Sequence, residues 1–290
     1  MRIGYYPGCS LQGSGREYSE SLFAVAEKCG IVLEEINDWN CCGASAAHSL
    51  NHDLSVALPA RTLALAEKQG LEQILVPCAA CFGRLANAQQ ELVSSEAMQT
   101  KISDYLEMPV KGSARILTVF EFLQEHIFPV ADQYIVNKLN TKTACYYGCL
   151  LSRPKELTRL EFPEDPMEME QVMEMAGATP IDWAFKTECC GAGLSVSRTD
   201  IVAKLSAKIV EDAVSRGAKS IVVACPMCQM NLDLRRPEIN KQMDKGSDIP
   251  VMFITQALGL SMGISADKLG LNRHFVSTGK VVSCVGRKEV

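Results

Sequence analysis

The amino-acid sequence predicts an α/β fold with two pseudo-symmetric lobes, each holding a small, mainly parallel sheet flanked by helices. Three observations support this prediction. A chain of 290 residues is long for one domain and comfortable for two. Its cysteine-containing segments occur twice, and helix-like and strand-like stretches alternate along both halves. We therefore expect an N-terminal lobe at 1–138 and a C-terminal lobe at 139–290, joined near "VNKLNTK" (136–142).

The repeat is visible in two pairs of segments. "GLEQILVPCAAC" (70–81) matches "GAKSIVVACPMC" (217–228), and "GYYPGCSL" near the start resembles "CYYGCLLS" (145–152). The cysteine spacing is C-x31-CC-x35-CxxC in the first half and C-x39-CC-x34-CxxC in the second. Such self-similarity indicates an internal duplication. In this alignment the five cysteines of the first half are Cys9, Cys41, Cys42, Cys78 and Cys81. Their equivalents in the second half are, in the same order, Cys149, Cys189, Cys190, Cys225 and Cys228.

The first half alternates helix and strand signals. "EYSESLFAVAEKCG" places Leu22, Val25 and Ala26 on one helical face and ends at Gly30, a typical C-terminal cap. "VLEEI" then reads as a short strand. A helical stretch ending at Gly70 follows the CC pair, with Pro59 marking a helix start or a kink. The apolar "QILVP" predicts a buried strand directly before the CxxC motif.

The second half repeats this order. "TDIVAKLSAKIVEDAVSRG" predicts a helix with Thr199 as its N-cap and with Val202, Leu205 and Ile209 on its apolar stripe. The strand "SIVVA" leads into the second CxxC motif, and a helix follows each CxxC. The cysteines then lie beyond strand ends and at helix starts, which is where open α/β sheets place their ligands.

Composition and charge argue against several classes of protein. The net charge of −5 and the absence of a basic run give no sign of nucleic-acid binding. The start "MRIGYYPGCS" lacks a signal-peptide pattern, and apolar runs are far shorter than a bilayer-spanning helix, so we expect a cytoplasmic protein. Thirteen cysteines is the abnormal total. An odd count in a reducing compartment argues for metal ligands, redox thiols or buried filler rather than a disulfide framework.

The arrangement of the cysteines favours a centre with several metal atoms. Two consecutive cysteines cannot easily bind one tetrahedral zinc ion, and five thiols per lobe exceed its four ligands. A CxxC at a helix start supplies two thiolates beside backbone amides, which suits an iron–sulfur cluster. Gly43 and Gly191, directly after the CC pairs, would let the backbone approach such a cluster. A structural zinc site or a thioredoxin-like dithiol remains the alternative for each CxxC taken alone.

The repeated pattern C-x(31–39)-CC-x(34–35)-CxxC, with a glycine directly after each CC pair, resembles the cysteine-rich CCG domain family, and over nearly the whole chain it is most similar to the B subunit of heterodisulfide reductases. This resemblance implies one noncubane [4Fe-4S] cluster per lobe, each bound by five cysteines. The N-terminal cluster would use Cys9, Cys41, Cys42, Cys78 and Cys81. The C-terminal cluster would use Cys149, Cys189, Cys190, Cys225 and Cys228.

The resemblance also implies an activity and partners. Each cluster would supply one electron and take one sulfur when a mixed disulfide is cleaved between them, and two thiols would leave. In methanogens the substrate is the disulfide of coenzyme M and coenzyme B, and bacterial members act on other substrates. The chain has no ferredoxin-type cysteine run and no flavin motif. The implied electron donors are therefore a flavin- and cluster-bearing A subunit together with a small ferredoxin-like C subunit.

Several assignments stay open at this stage. CCG domains also occur in lactate- or glycolate-oxidising and respiratory complexes as electron relays. Three cysteines lie outside the arrays. We interpret Cys29 as a buried residue that fills the core and Cys145 as a less favoured alternative to Cys149 as a ligand, and Cys284 has no assignment. His48 and His52 are four residues apart, a spacing that suits either a metal site or an ordinary helix surface; without an HExxH pattern we favour the surface. One hydroxyl of each pair Tyr5–Tyr6 and Tyr146–Tyr147 is a candidate neighbour of a cluster.

Overall fold

A computed structural model describes residues 1–44 and 46–287 of the chain. Within these residues the protein has two four-stranded parallel sheets and one antiparallel pair of short strands. The strands are β1 (Arg2–Tyr5), β2 (Val32–Glu35), β3 (Gln73–Leu75), β4 (Arg115–Leu117), β5 (Asn137–Lys138), β6 (Lys142–Tyr146), β7 (Thr179–Pro180), β8 (Ser220–Val223), β9 (Val251–Phe253) and β10 (Gly286–Arg287).

Helices follow the strands and cover both faces of each sheet. In the first half they are α1 (Gly8–Gln12), α2 (Arg16–Lys28), α3 (Ala47–Leu50), α4 (His52–Lys68), α5 (Ala79–Ser94), α6 (Glu96–Leu106), α7 (Val119–Phe122) and α8 (Phe128–Ala131), with a π-helical turn at Leu123–Ile127. In the second half they are α9 (Lys155–Thr158), α10 (Glu168–Met175), α11 (Thr199–Ser215), α12 (Pro226–Asp233), α13 (Arg236–Asn240), α14 (Ile254–Ser261) and α15 (Gly279–Val282). Short 3₁₀ turns lie at Asp132–Tyr134, Ala192–Leu194 and Leu271–Arg273.

The two sheets have the same topology, which confirms the predicted α/β fold with two similar lobes. The strand order is β2-β1-β3-β4 in one sheet and β7-β6-β8-β9 in the other. Gly4 and Tyr5 of β1 pair with Ile74 and Leu75, and the same register places Cys145 of β6 beside Val222. The predicted boundary after residue 138 falls between the strands of the two sheets, and it remains a prediction.

Most of the local predictions match the helices and strands observed. The predicted helix in "EYSESLFAVAEKCG" is α2, and Gly30 follows it with φ +73°. Pro59 lies inside α4, which begins earlier, at His52, because Asn51 caps it by accepting a hydrogen bond from the backbone amide of Leu54. Thr199 is the first residue of α11 rather than its N-cap, so that prediction was wrong by one position.

The lobes interlock through helix α2, which packs on α14 of the other lobe. The Tyr18 ring stacks on Phe253 with centroids 4.1 Å apart and an interplanar angle of 5°. Its hydroxyl donates a 3.1 Å hydrogen bond to the carbonyl of Ala224. Beside it, the hydroxyls of Ser21 and Thr255 lie 2.6 Å apart. All of these side chains are buried, so the two lobes share one continuous core.

No helix in the described part of the chain combines the length and the apolar character needed to cross a bilayer.

Candidate functional site

Ten cysteines lie at the carboxyl-terminal edges of the two parallel sheets, five to each lobe. In the first lobe Cys9 lies in α1, just after β1, and Cys41 and Cys42 follow β2. Cys78 is the N-cap of α5, after β3, and Cys81 is in its first turn. Because β2, β1 and β3 are neighbours in the sheet, these three segments end side by side.

The second lobe repeats this placement. Cys149 follows β6, and Cys189 and Cys190 precede the 3₁₀ turn at Ala192–Leu194. Cys225 is the N-cap of α12, after β8, and Cys228 is in its first turn. The helix therefore begins inside each CxxC motif, and its first amides point toward the sulfur atoms.

The structure brings the first-lobe thiols together. Cys42 Sγ lies 3.3 Å from Cys81 Sγ, and the nearby Cys42 and Cys78 both raise the pKa of Cys81. Burial raises the pKa of Cys9, and the nearby sulfurs of Cys41, Cys42 and Cys78 raise it further. All five predicted ligands of the first lobe therefore interact within one cluster of side chains.

The second-lobe thiols form the matching cluster. Cys190 Sγ lies 3.5 Å from Cys228 Sγ, and the nearby Cys190 and Cys225 both raise the pKa of Cys228. Cys189 raises the pKa of Cys149, and Cys189 Sγ accepts a 3.3 Å hydrogen bond from the backbone amide of Gly191.

Hydrogen bonds within each cluster stabilise the thiolate form of several cysteines. The thiol of Cys81 lowers the pKa of Cys42 to about 7. Cys149, helped by the amides of Gly191 and Ala192, lowers the pKa of Cys189 to about 6. Thiolates are the form in which cysteine binds metals, so these positions suit a metal-bound state.

Both clusters are open to solvent on one side only. Cys41 and Cys189, the first residues of the CC pairs, are exposed, as is Cys9. The second residues of the pairs and all four CxxC cysteines are buried. A molecule from solution would therefore approach each cluster from the side of its first cysteine and the first member of its CC pair.

Glycines before the first cysteine of each array leave room for sulfur. Gly8 and Gly148 have φ values of +61° and +67°, which favour glycine over other residues. A Cβ on Gly8 would lie 2.9 Å from Cys81 Sγ, and one on Gly148 would lie 2.9 Å from Cys228 Sγ. The sequence analysis missed these two glycines, although "GC" occurs at the equivalent place in both halves.

The two glycines that follow the CC pairs are required by local packing, and their role beside a cluster stays a prediction. A Cβ on Gly43 would lie 2.8 Å from side-chain atoms of Ala47 and Leu58, and one on Gly191 would lie 3.2 Å from Leu205. Both residues have positive φ values, +74° and +80°. They are needed for a left-handed turn packed against α4 or α11, and no cysteine sulfur is among the atoms that their Cβ atoms would meet.

One tyrosine in each lobe holds the CC segment in place. The hydroxyl of Tyr6 donates a 2.7 Å hydrogen bond to the carbonyl of Asn40, and that of Tyr146 donates an equal one to the carbonyl of Glu188. Each acceptor directly precedes a CC pair. Burial raises the pKa of both phenols, and the nearby cysteine sulfurs raise it further, so both hydroxyls stay protonated.

Because Tyr6 is equivalent to Tyr146, the residues that precede them, Tyr5 and Cys145, are equivalent as well. By strand register Cys145 occupies the position of Tyr5, and it is fully buried in β6. Burial raises the pKa of its thiol, and the charged groups near it are Glu170, Lys186 and Glu174 rather than cysteines. Cys149, not Cys145, therefore lies with the second-lobe array.

The remaining candidates lie apart from the clusters. Cys29 packs half-buried against the core and Cys284 is exposed. His48 and His52 belong to different helices, α3 and α4, and His52 Nε2 lies 3.3 Å from Glu91 Oε2 on the surface. Within the described residues, no group of three or more His, Cys, Asp or Glu side chains is arranged to hold a single metal ion.

The two clusters approach each other at the CxxC motifs. The pKa of Cys225 is lowered to about 7, chiefly by Cys228, and the backbone amide of Ala79 in the other lobe contributes to this lowering. Ser10 Oγ lies 3.7 Å from Met227 Sδ, which links α1 to α12. The interface between the lobes thus runs directly between the two arrays.

The chain is similar to known proteins over almost its whole length. The family model of the cysteine-rich domain (CCG) matches residues 3–86 and 143–233. An 8-methylmenaquinol:fumarate reductase membrane anchor subunit of Wolinella succinogenes is 29% identical, over 96% of this chain and 98% of its own length. The B subunit of a ferredoxin:CoB-CoM heterodisulfide reductase from Methanosarcina mazei is 30% identical, over 95% of this chain and 94% of its own length.

A solved structure shares the fold. A hypothetical protein from Helicobacter pylori superposes with a TM-score of 0.75 at 11% identity, over 96% of this chain. The present chain spans 52% of the length of that protein. This likeness supports the two-lobed α/β architecture and carries no information on activity.

Proposed function

The chain belongs to the cysteine-rich (CCG) domain family, and on this premise we propose that it is the iron–sulfur catalytic subunit of a heterodisulfide reductase. Its relatives support a role within an iron–sulfur oxidoreductase complex. The finer proposal is reduction of a mixed disulfide, of the coenzyme M–coenzyme B type or a bacterial equivalent, to two thiols. Reduction of one disulfide consumes two electrons and two protons.

The donor set fits two iron–sulfur clusters. Each lobe presents thiols within hydrogen-bonding distance of one another, with lowered pKa values at Cys42 and Cys189. Gly8 and Gly148 leave space beside the sulfur atoms that a Cβ would fill. We propose that each lobe holds one noncubane [4Fe-4S] cluster on its five cysteines, Cys9, Cys41, Cys42, Cys78 and Cys81 or Cys149, Cys189, Cys190, Cys225 and Cys228. When bound, the two clusters would supply single electrons and iron atoms able to take a sulfur.

The observation that carries the proposal is the pairing of two equivalent arrays across one interface. Two similar centres match a reaction in which cleavage of one S–S bond yields two thiols. The exposed cysteines Cys9, Cys41 and Cys189 mark the sides from which a disulfide would enter. Tyr6 and Tyr146 keep their protons and donate hydrogen bonds to the residues that precede the two CC pairs, so we assign them a role in positioning the ligands.

We propose that electrons come from other proteins of the same complex. The relatives are named as subunits of larger enzymes, and the chain has no ferredoxin-type cysteine run. The partners proposed are a small ferredoxin-like C subunit together with a flavin- and cluster-bearing A subunit, and the isolated chain is then inactive with physiological donors.

A second candidate is an electron relay in a respiratory or lactate/glycolate-type complex. The relative from Wolinella succinogenes favours it, because its name assigns it an anchoring role in a fumarate reductase. The contact between the two CxxC motifs, through Ala79 and Cys225, would serve electron transfer between clusters equally well.

Disulfide reduction driven by an artificial donor separates the two candidates. Protein purified without oxygen is mixed with reduced methyl viologen and the coenzyme M–coenzyme B disulfide or a simple mixed alkyl disulfide. The proposal predicts two viologens oxidised and two thiols formed per disulfide, with loss of activity in Cys81→Ser and Cys228→Ser. Clusters that are reduced by viologen but release no thiol from any disulfide would favour the relay.

A further inference from the structure

The two CxxC helices carry residues of different charge at one equivalent position. Arg84 in α5 and Asn231 in α12 each lie three residues after the second cysteine of the motif. A spacing of three places a side chain on the same helical face as that cysteine. One lobe thus carries a cation where the other carries a neutral amide.

Asn231 is a direct neighbour of the C-terminal array. Its side chain is fully buried. The amide nitrogen donates a 3.1 Å hydrogen bond to the carbonyl of Cys190 and lies 3.5 Å from Cys190 Sγ. The amide oxygen accepts a 2.9 Å hydrogen bond from the hydroxyl of Ser195. This residue therefore contributes a dipole and no net charge.

Arg84 presents an uncompensated charge to the N-terminal array. It is half-buried, and among the residues that the structure describes its guanidinium has no ion pair or hydrogen bond. After the hydrogen bond from Cys81, the charge of Arg84 is one of the influences that lower the pKa of Cys42. Cys42 and Cys190 are the second members of their CC pairs, so the two residues act on equivalent sulfur atoms.

A second difference in charge also makes the surroundings of the C-terminal array more negative than those of the N-terminal array. The residue before the CC pair is the neutral Asn40 in the first lobe and the acidic Glu188 in the second. Glu188 is exposed, and its charge opposes the lowering of the pKa of Cys189. Three other cations near the arrays are paired with carboxylates: Arg61 with Asp38, Arg153 with Glu164, and Lys186 with Asp165 and Glu170. A fourth, Arg235 on the side of the C-terminal array, donates a hydrogen bond to the carbonyl of Ser195.

We propose that Arg84 and Glu188 set the order of the two reduction potentials, so that the N-terminal cluster is the more easily reduced. This inference rests on the proposed binding of one cluster in each lobe. Positive charge near a cluster stabilises its reduced form, and negative charge opposes reduction. A full charge also reaches further than the amide dipole of Asn231, because its potential falls off more slowly with distance.

The proposed order of the two reduction potentials implies a direction for electron transfer between the lobes. With both clusters bound, transfer of one electron from the C-terminal to the N-terminal cluster would be favourable, and the first would be oxidised by loss of the electron that reduces the second. The C-terminal lobe is then the entry side for electrons from a low-potential donor protein, and the N-terminal lobe is where the first electron rests.

A redox titration followed by electron paramagnetic resonance tests this order. The anaerobically purified full chain is compared with Arg84→Gln, Arg84→Lys and Glu188→Gln, and with Lys241→Gln as a control that removes one charge at an exposed position outside the arrays. Cys81→Ser and Cys228→Ser assign each midpoint potential to a lobe. Iron and sulfide are measured in every sample.

The expected outcome is a higher midpoint potential that disappears in Cys81→Ser. Arg84→Gln lowers that midpoint, Arg84→Lys largely preserves it, Glu188→Gln raises the other, and Lys241→Gln moves neither. A higher midpoint that disappears in Cys228→Ser, or equal midpoints unmoved by either charge substitution, would overturn the inference while leaving the clusters established. Absence of iron and sulfide from the parent protein would instead overturn the proposed function on which the inference rests.

Discussion

The hydroxyl of Tyr18, in the first lobe, donates a 3.1 Å hydrogen bond to the carbonyl of Ala224, which directly precedes Cys225 in the second lobe. The phenol is completely buried and stacked on Phe253. A single side chain therefore ties the packing of one lobe to the position of a proposed cluster ligand in the other.

Removing this hydroxyl is expected to weaken the joint between the lobes. Tyr18→Phe keeps the stacked ring but removes the hydrogen bond to the buried carbonyl of Ala224, which costs about 1–3 kcal/mol of unfolding free energy. Thermal or urea unfolding followed by circular dichroism measures the change. Tyr134→Phe is the control, because the Tyr134 hydroxyl has no hydrogen-bond partner among the described residues. Equal stability of the two variants would contradict a structural role for the Tyr18 bond.

A methyl group on either glycine that precedes a first cysteine is expected to displace a cluster. Gly8→Ala places a Cβ 2.9 Å from Cys81 Sγ at a φ of +61°, and Gly148→Ala does the same beside Cys228. Each variant should lose about half of the iron, leaving on the order of four atoms per chain. Gly83→Ala is the control, since its Cβ would meet no atom within 4 Å. Full iron in all three variants would show that these glycines do not serve the clusters.

The ligand assignment predicts independent losses from the two lobes. Cys81→Ser and Cys228→Ser should each remove one cluster and leave the other, because each residue interacts only with the array of its own lobe. Cys29→Ser, Cys284→Ser and His48→Ala should keep the full iron content, since these residues lie apart from both arrays. Iron analysis and the electron paramagnetic resonance signal check the assignment, which is wrong if the two cysteine variants retain all their iron.

Buried charges support the loop that carries Cys149. Lys186 Nζ lies 3.0 Å from Glu170 Oε1, and Glu170 Oε2 accepts a 2.5 Å hydrogen bond from Tyr147. The carbonyl of Lys186 also accepts hydrogen bonds from the amides of Tyr147 and Gly148. Lys186→Met leaves the Glu170 carboxylate buried without a cation, which is expected to cost about 3–5 kcal/mol of unfolding free energy.

Replacing both charges gives the matched comparison. The double variant Lys186→Met with Glu170→Gln should recover most of the stability, because no buried charge is then left uncompensated. Urea unfolding of the parent, the single and the double variant measures the recovery. A double variant as unstable as Lys186→Met alone would show that the pair stabilises the fold by some other route.

The duplicated cysteine arrays and the α/β lobes were predictable because each depends on local signals. Cysteine spacing and strands such as "SIVVA" are readable in the sequence without knowledge of distant contacts. The break between two helices at Asn51 was not predicted, because the residues on both sides of it have helical character. Only the hydrogen bond from the Leu54 amide to the Asn51 side chain marks the start of a new helix there. Gly8 and Gly148 were missed for a similar reason: the contacts that require them, with Cys81 and Cys228, cross more than 70 residues of chain.

The contacts between the two lobes were the part of the structure that sequence patterns predicted least. Tyr18 reads as one more residue of an amphipathic helix, and its bond to Ala224 spans 206 positions. The pairing of Tyr6 with Tyr146 needed the strand register, since the two tyrosine pairs look alike but are offset by one position. Position along a strand, not residue type, decided which hydroxyl reaches a CC segment.

Iron and acid-labile sulfide per chain, measured on protein purified without oxygen, test the central claim of two iron–sulfur clusters most directly. The account predicts roughly eight of each, and roughly four after either Cys81→Ser or Cys228→Ser. About four in the parent protein would mean that one lobe holds no cluster, and cleavage of a disulfide between two centres would lose its basis. One or two zinc atoms with no sulfide would contradict the account altogether.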